Sequence, residues 1–526
     1  MSLTTSHDAV AEVLRSLPER TCDVLSHWAQ STPDTHVLVE SGTSWSYRQL
    51  SDTVDQTADW LRALGVRPGD RVMLVCENCR AFVALFLAGA RIDAWPVLVH
   101  ARLSADEVDA IRDHCGARVV IYTTSVSPHA RDHAKRRGAA AQELADLGSI
   151  AVDGINPGVQ PEPIESDPAS RVAAVIYTSG TTGTPKGVML THRNLLYVAA
   201  VSARIRSLTP QDRMYGVLPM SHAVGLSVVL LGSLLSGATL YVSHRFDPPG
   251  VLRSLEKDEL TVVLGAPAMF SLLLDYAKLK GIKSLRLPTL RIISSSGAPL
   301  HANVKAEVEA LFGLTLHNGY GITECSPNIA QTRVESPRPD TSVGEIFPGV
   351  EVRLMGSDGS RVVEGKVGEL QVRGPNVMKG YYRAPDETAA AIDADGWFNT
   401  RDLARMENGN LFIVGRSKDL IVRFGLNVYP AEVEAVLNSH PTVVRSAVIG
   451  RSVEGTSGDE ELIAFVELAP DSPITKEELT DYAAQHLAAY KRPSSITILP
   501  SLPLTPTGKV IKANLAQQIS SSTASC

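Results

Sequence analysis

Between Val175 and Gly187 the chain reads Val-Ile-Tyr-Thr-Ser-Gly-Thr-Thr-Gly-Thr-Pro-Lys-Gly: an apolar run, a loop of hydroxyls and glycines, then a lysine. Residues of these types in this order can surround an anion. Gly180 and Gly183 let backbone N–H groups converge, while Thr178, Ser179, Thr181 and Thr182 supply hydroxyl donors and Lys186 supplies positive charge. A plain surface turn would need neither the apolar run ahead nor the lysine behind. A Walker A loop would end in Gly-Lys-Ser/Thr and run into a helix N-terminus. Here Pro185 precedes Lys186, Gly187 follows it, and the strand-like Val188-Met-Leu comes next. The chemistry indicated is the holding of a polyphosphate by a geometry other than the P-loop.

A second group of residues could serve the rest of a nucleotide. In His317-Asn-Gly-Tyr-Gly-Ile-Thr-Glu324, Tyr320 offers a ring to stack on a base, Asn318 an amide for an exocyclic amine, and Thr323 a hydroxyl for a phosphate. Glu324 is the hard carboxylate that Mg2+ accepts while keeping waters and substrate phosphates. The small residues of Ser294-Ser-Ser-Gly-Ala-Pro-Leu300 would let a planar ring lie against backbone. His222 stands alone on an apolar stretch, where a histidine is by default a core residue. Cys76-Glu-Asn-Cys79 has no second pair at zinc spacing, and reads as two packed thiols at a strand-to-helix turn.

The elements that position these groups alternate. Ser104-Ala-Asp-Glu107 is a capping box that opens a helix through Cys115, Gly116 closes it, and Arg118–Tyr122 is the next strand. Repeated, this is an α/β fold of parallel-sheet subdomains. The Pro- and Asp-rich segment 153–170 is a surface connection, and from about residue 350 short strands between Gly and Asp turns form a β-rich subdomain. The expected division is a large N-terminal domain, 1–415, and a small α+β C-terminal domain, 416–526. Ala223–Val242 is long and apolar enough to span a membrane, but Ser236-Gly237 divides it into helix, turn and strand.

With 44% hydrophobic and 20% charged residues among 526, disorder is excluded, and several domains can each bury a core. A net charge of -7 without a Lys/Arg run argues against nucleic acid. Six scattered cysteines and the lack of a basic-then-apolar N-terminus point to a reducing, cytoplasmic compartment. Neither signal peptide nor integral membrane association is expected.

From about Trp45 to about Leu515 the chain resembles the adenylate-forming superfamily, which includes acyl-CoA synthetases, the adenylation domains of nonribosomal peptide synthetases and beetle luciferases. Tyr177-Thr-Ser-Gly-Thr-Thr-Gly-Thr-Pro-Lys-Gly187 is its most diagnostic string, and Gly319-Tyr-Gly-Ile-Thr-Glu324 matches its GYGxTE. The resemblance implies that Gly297, Ala298 and Pro299 flank adenine with Asn318, Gly319, Tyr320 and Gly321. Gly396-Trp-Phe-Asn-Thr-Arg-Asp402 is similar to GWxxTGD, so Asp402 would accept the ribose hydroxyls, with Arg401 in place of the usual glycine. Arg416 would contact ribose or phosphate, and Lys418 falls at the hinge of a mobile C-terminal domain. Gly425, Leu426 and Asn427 would line the coenzyme A path, with Phe424 where a second glycine is common. His222 would sit at the mouth of an acyl pocket framed by Gly225, Val229, Ser295, Ser296 and Cys325. Lys509, in Leu504-Thr-Pro-Thr-Gly-Lys509, would lie between substrate carboxylate and α-phosphate.

The chemistry so implied is acyl-adenylate formation from ATP and a carboxylate, with Mg2+ on Glu324, then transfer to the thiol of coenzyme A. Catalytic roles fall to Lys509, Glu324, Thr323, Lys186 and His222. No buried cation is evident for a second carboxylate, so a medium-chain fatty or aromatic monocarboxylate is the expected substrate. The alternatives are delivery to a carrier protein's phosphopantetheine and a catalytically silent nucleotide-binding module, and a homodimer is compatible with either.

Overall fold

The computed structural model describes residues 7–178, 185–423, 426–453, 460–469, 472–504 and 510–523. An eight-stranded sheet has a parallel centre, Val172–Thr178, Trp95–His100, Arg71–Cys76 and Val119–Tyr122. Arg71–Cys76 is buried along its whole length, as the unbroken run Val-Met-Leu-Val requires of a strand covered on both faces. Lys186–Thr191 pairs antiparallel with Val172–Thr178, and Gly380–Tyr381 closes that edge. The expected helix Ala105–Cys115 is present with its Ser104 capping box, and Gly116 stops it at φ 58°.

A second sheet has thirteen strands. His36–Glu40, Thr239–Val242, Arg213–Gly216, Val262–Gly265, Ile292–Ser295 and Leu316–Gly321 run parallel. At Leu316–Gly321 the pairing turns antiparallel and continues through Asn328–Gln331, Gly344–Ile346, Asn410–Arg416, Phe398–Glu407, Gly368–Arg373 and Glu351–Met355. The β-rich segment is therefore hydrogen-bonded into the same sheet. The strand that carries Asn318 and Tyr320 lies where parallel gives way to antiparallel, and the Thr323–Cys325 turn follows it directly.

Asn78 ties the two sheets together. Its amide nitrogen donates to the carbonyls of Gly216, Leu218 and Ser243, and its oxygen accepts from Met220 N at 2.8 Å. Cys79 caps the helix Arg80–Arg91, and burial pushes its thiol up to about 12, so the pair with Cys76 is structural. The apolar stretch near residue 230 is a π-helical segment, Val224–Leu231, then Gly232–Ser236, a stop at Gly237 with φ 78°, and the strand Thr239–Val242. Among the described residues no helix is long and apolar enough to cross a membrane.

Beyond Arg416 a separate core forms from Val433, Leu437, Val448, Leu462, Val466 and Leu479. It lies between the helices Pro430–Asn438 and Lys476–His486 and a three-stranded sheet of Val443–Ser452, Glu460–Leu468 and Ser495–Leu499. This unit touches the rest where Asn303 Nδ2 donates to Asn438 O at 3.1 Å.

Candidate active site

Thr178 and Lys186 are register partners at the open end of their antiparallel pair, so the two ends of the intervening segment are held side by side. Ser179, Gly180, Thr181, Thr182 and Gly183 lie outside the described residues. Lys186 Nζ is 3.2 Å from Glu387 Oε2 and 5.2 Å from the centre of the Tyr381 ring. Tyr381 reaches the other way and donates its hydroxyl to Glu324 Oε1 at 3.0 Å. The phenol thus bridges the lysine and the carboxylate, and neither Tyr381 nor Glu387 was legible as a site residue in the sequence.

Glu324 is held by backbone as well as by Tyr381. Its carbonyl accepts from Met378 N at 2.8 Å, and three residues earlier Gly321 lies so close to Pro327 that an added Cβ would be 2.0 Å from the Pro327 oxygen. Glycine is obligatory there on steric grounds. The nearby cations are engaged elsewhere, Lys186 with Glu387 and Arg416 with Asp402. Burial therefore pushes the Glu324 carboxyl above its ordinary value, against the Tyr381 hydrogen bond that pulls it down. Among the described residues no group of three or more His, Cys, Asp or Glu could cage an ion. A single half-buried carboxylate fits Mg2+, which takes one or two protein oxygens and completes its shell from phosphates and water.

Asp402 and Arg416 face each other across paired strands, with Arg416 Nε 3.1 Å from Asp402 Oδ1. Tyr320 donates its hydroxyl to Asp402 Oδ2, and Thr400 Oγ1 accepts from Asp402 N at 3.1 Å. Three residues from separate strings thus meet at one buried carboxylate. Arg401, beside it, takes φ 59°, the left-handed region that favours glycine. The substitution leaves Asp402 in place and puts the cost on the backbone.

The loop after Ile292–Ser295 is open. Gly297 has φ 87° and nothing within 4 Å of where a Cβ would stand, and Pro299 is exposed. Asn318 is more committed than its sequence context indicates. Its amide nitrogen donates to Thr341 O at 3.1 Å and Ser342 O at 3.3 Å, and its oxygen accepts from Gly319 N at 3.0 Å. Its part in this structure is to anchor the 341–342 segment under the Gly319-Tyr320-Gly321 strand.

On the acyl side His222 is not alone: it stacks on His100 with centroids 6.1 Å apart. Burial first, then the neighbouring charges of His222 and Arg102, push His100 down to about 4, and burial also lowers His222, so both rings are neutral at pH 7. His100 ends a strand 122 residues earlier, and nothing local to it signals the pairing. Gly225 is a backbone contact, since a Cβ would lie 2.1 Å from Pro219 O. Val229, Ser295 and Cys325 are fully buried, Ser296 is half-buried, and Ser295 Oγ has no hydrogen-bond partner. Near this side the sequence left one buried cation unmarked. Arg206, 4% exposed, closes the helix His192–Ile205.

Lys418 is exposed in the turn Ser417–Asp419, between the last strand of the large sheet and the hairpin Ile421–Arg423 with Leu426–Val428. Leu426 and Asn427 are exposed on that hairpin, whereas Phe424, Gly425 and Lys509 lie outside the described residues. A cleft of about 670 Å³ opens at the carboxyl ends of the parallel strands, lined by Arg131, His244, Arg245, Arg253 and Lys257 among others. Its Ser243 is tied through Asn78 to Leu218 and Met220, the segment that leads into His222.

Comparison with known proteins accords with this geometry. The AMP-binding enzyme profile matches residues 25–382, and that of the AMP-binding enzyme C-terminal domain matches 432–509. The chain is 34% identical to a feruloyl-CoA synthase of Amycolatopsis over 93% of its length and 97% of the relative's. It is 30% identical to a long-chain-fatty-acid–CoA ligase of Mycobacterium tuberculosis over 94% and 98%. The o-succinylbenzoate coenzyme A synthetase of Bacillus subtilis, solved with ATP and magnesium, superposes with a TM-score of 0.79 at 29% identity, over 94% of this chain and 99% of that one. On these grounds the chain belongs to the AMP-binding enzyme family, the adenylate-forming superfamily, as an AMP-forming acyl-CoA ligase.

Proposed function

We propose that the protein activates a medium-chain aliphatic or an aromatic carboxylate with ATP and Mg2+ and transfers the acyl group to coenzyme A. The observation that carries this reading is the meeting of Lys186, Tyr381 and Glu324 at one end of the strand Leu316–Gly321 and of Tyr320, Asp402 and Arg416 beside it. That arrangement supports reading Lys186 as the cation for phosphate, Glu324 as the carboxylate for the metal, and Asp402 with Arg416 as the site for ribose.

A carboxylate is a poor acyl donor because oxide would have to leave. Attack of its oxygen on the α-phosphorus of ATP forms an O–P bond, breaks the bond to the β-phosphate oxygen and releases pyrophosphate, leaving AMP as a competent leaving group. No protein nucleophile is required, so catalysis consists of positioning and charge neutralisation. Mg2+, when bound, screens the phosphate oxygens. Lys186 steadies the polyphosphate, and Tyr381 orients Glu324 to receive the ion. Asp402 and Arg416 fix the ribose, and Lys509 neutralises charge between carboxylate and α-phosphate. His222 and His100, both neutral, close the acyl site without adding a competing charge.

For the second half-reaction we take the chain to divide at 415/416 and the small unit to pivot about Lys418. That pivot would exchange Lys509 for Gly425, Leu426 and Asn427. The relatives' names cover both an aromatic acid and a long-chain fatty acid.

The test is AMP release from ATP and Mg2+ across a panel of aliphatic and aromatic acids, with and without coenzyme A, for wild type and Lys509→Ala. Strong turnover that depends on coenzyme A and is lost in the variant is expected. Pyrophosphate exchange without coenzyme A turnover would point to a carrier protein as acceptor, and no acid-dependent activity would refute the reading.

A further inference from the structure

Among the described residues, Arg206 is a buried guanidinium with no counter-charge. Its Nη1 folds back to donate to Ser202 Oγ at 2.6 Å and Ser202 O at 3.2 Å, while its Nε is buried without a hydrogen-bond partner. The nearby carboxylate, Asp212, is held at both oxygens by Arg291 at 2.8 Å each. Burial alone pushes the Arg206 guanidinium down to about 10. Lying at a helix C-terminus stabilises a cation by about 0.3–1 kcal/mol, up to about 2 in partly buried sites. That falls short of the several kcal/mol it costs to bury an unpaired ion.

The position of this charge suggests what it awaits. Ser202 Oγ also accepts from Asn328 Nδ2 at 3.3 Å, and Asn328 is the register partner of Gly321, in the turn that carries Glu324. Two hydrogen bonds therefore separate Arg206 from the strand that presents the nucleotide-facing residues. Other polar atoms around this turn are also unmatched. Asn376 donates to Asn328 O at 2.8 Å yet leaves its Oδ1 without a partner, and Ser326 Oγ and Ser295 Oγ are buried and unpartnered. Nearly all buried polar atoms in folded proteins find partners, so Asn376 Oδ1 and Ser326 Oγ leave hydrogen-bonding capacity beside this turn for a polar group that arrives with the substrate.

We propose that Arg206 is a specificity-determining residue that receives a second acidic group, a carboxylate, at the far end of the acyl substrate. This rests on the acyl-CoA ligase reading and narrows its substrate class to acids with a distal carboxylate, on either an aliphatic or an aromatic frame. Ser202 and Asn328 position the guanidinium. The substrate's first carboxylate remains the one adenylated, since Arg206 neutralises the second.

The test compares matched pairs: heptanoate with heptanedioate, and cinnamate with 4-carboxycinnamate. For wild type the diacid of at least one pair is expected to show a kcat/KM at least tenfold above its partner, as AMP released with coenzyme A. Arg206→Met should erase that ratio through KM, leaving the monoacid within about threefold, and Arg206→Lys should restore part of it. Ser202→Ala, which keeps the charge but loosens its seat, should give an intermediate ratio. A wild-type preference for the monoacid in both pairs overturns the proposal without reference to any variant's folding, as does an Arg206→Met effect equal on both members. No turnover of any acid would instead count against the ligase reading.

Discussion

The residue beside the Asp402 carboxylate allows a clean test of backbone against charge. Arg401 stands at φ 59°, where an L residue with a Cβ loses roughly 1–2 kcal/mol. Glycine escapes that cost but gives up roughly 0.5–1 kcal/mol more backbone entropy on folding. The net expectation for Arg401→Gly is a gain of about 0.5–1 kcal/mol. The described hydrogen bonds of Arg401 run through its backbone, N to Asn399 Oδ1 at 2.9 Å and O from Ser417 Oγ at 3.2 Å, so both survive the change. Arg401→Ala removes the cation and keeps the Cβ, so it should gain nothing from the backbone and lie below Arg401→Gly by about 1 kcal/mol. Urea unfolding followed by tryptophan fluorescence measures this well, because Trp28, Trp45, Trp60, Trp95 and Trp397 all precede the hinge. The KM for ATP should stay within twofold in both variants, since Tyr320 and Arg416 still hold Asp402. If Arg401→Ala is as stable as Arg401→Gly, the strain argument is wrong and like charge beside Arg416 is the cause. If Arg401→Gly is less stable than wild type, the left-handed backbone carries no penalty here.

Glu324→Gln should lower kcat/KM for pyrophosphate release by about 10²-fold, and extra Mg2+ should not restore it, because the buried position then offers a neutral oxygen. Tyr381→Phe removes only the 3.0 Å hydrogen bond that orients Glu324, and a loss of about threefold to tenfold is expected in the same assay. Gly321→Ala places a Cβ 2.0 Å from Pro327 O and should cost about 3 kcal/mol or more with loss of activity, whereas Gly297→Ala, open on all sides at φ 87°, should cost only about 1 kcal/mol by urea midpoint. Acid should destabilise the protein in a defined window. Burial above all holds His192 down to about 3 and His317 and His100 to about 4, against about 6.5 when unfolded. Between pH 6.5 and 4 the unfolded chain then carries up to three more protons, so stability falls as pH falls, by up to about 1.4 kcal/mol per proton per pH unit. His192→Gln should remove about a third of that slope, and urea midpoints unchanged from pH 7 to 4.5 would contradict the buried neutral state.

What the sequence revealed, it revealed through short-range constraints. The Ser104 box, the Gly116 stop and the helix-turn-strand around Ser236-Gly237 are local backbone chemistry, and each lies where its residues place it. The strings that end in Lys186, Glu324 and Asp402 are contiguous and could be read as units. Partners supplied from far along the chain left no local mark. Tyr381 reaches Glu324 over 57 residues, and His100 lies under His222 because two different sheets meet there. The continuation of the β-rich strands into the main sheet was equally hidden, since pairing across Leu316–Gly321 depends on register rather than composition.

Arg206 shows the same limit in its sharpest form. In the string Ala-Arg-Ile-Arg-Ser it resembles Arg204, two residues earlier, which is exposed. Nothing in residue type separates a solvated arginine from a buried one. The helix His192–Ile205 makes the difference by ending where its last turn faces the Asn328 strand, so that Arg206 points inward while Asp212, the acid closest in sequence, is already taken by Arg291. A charge left unmatched by every described neighbour is better explained by something the fold is built to receive than by the fold itself, and for a ligase whose substrates are acids the complementary group is a second carboxylate.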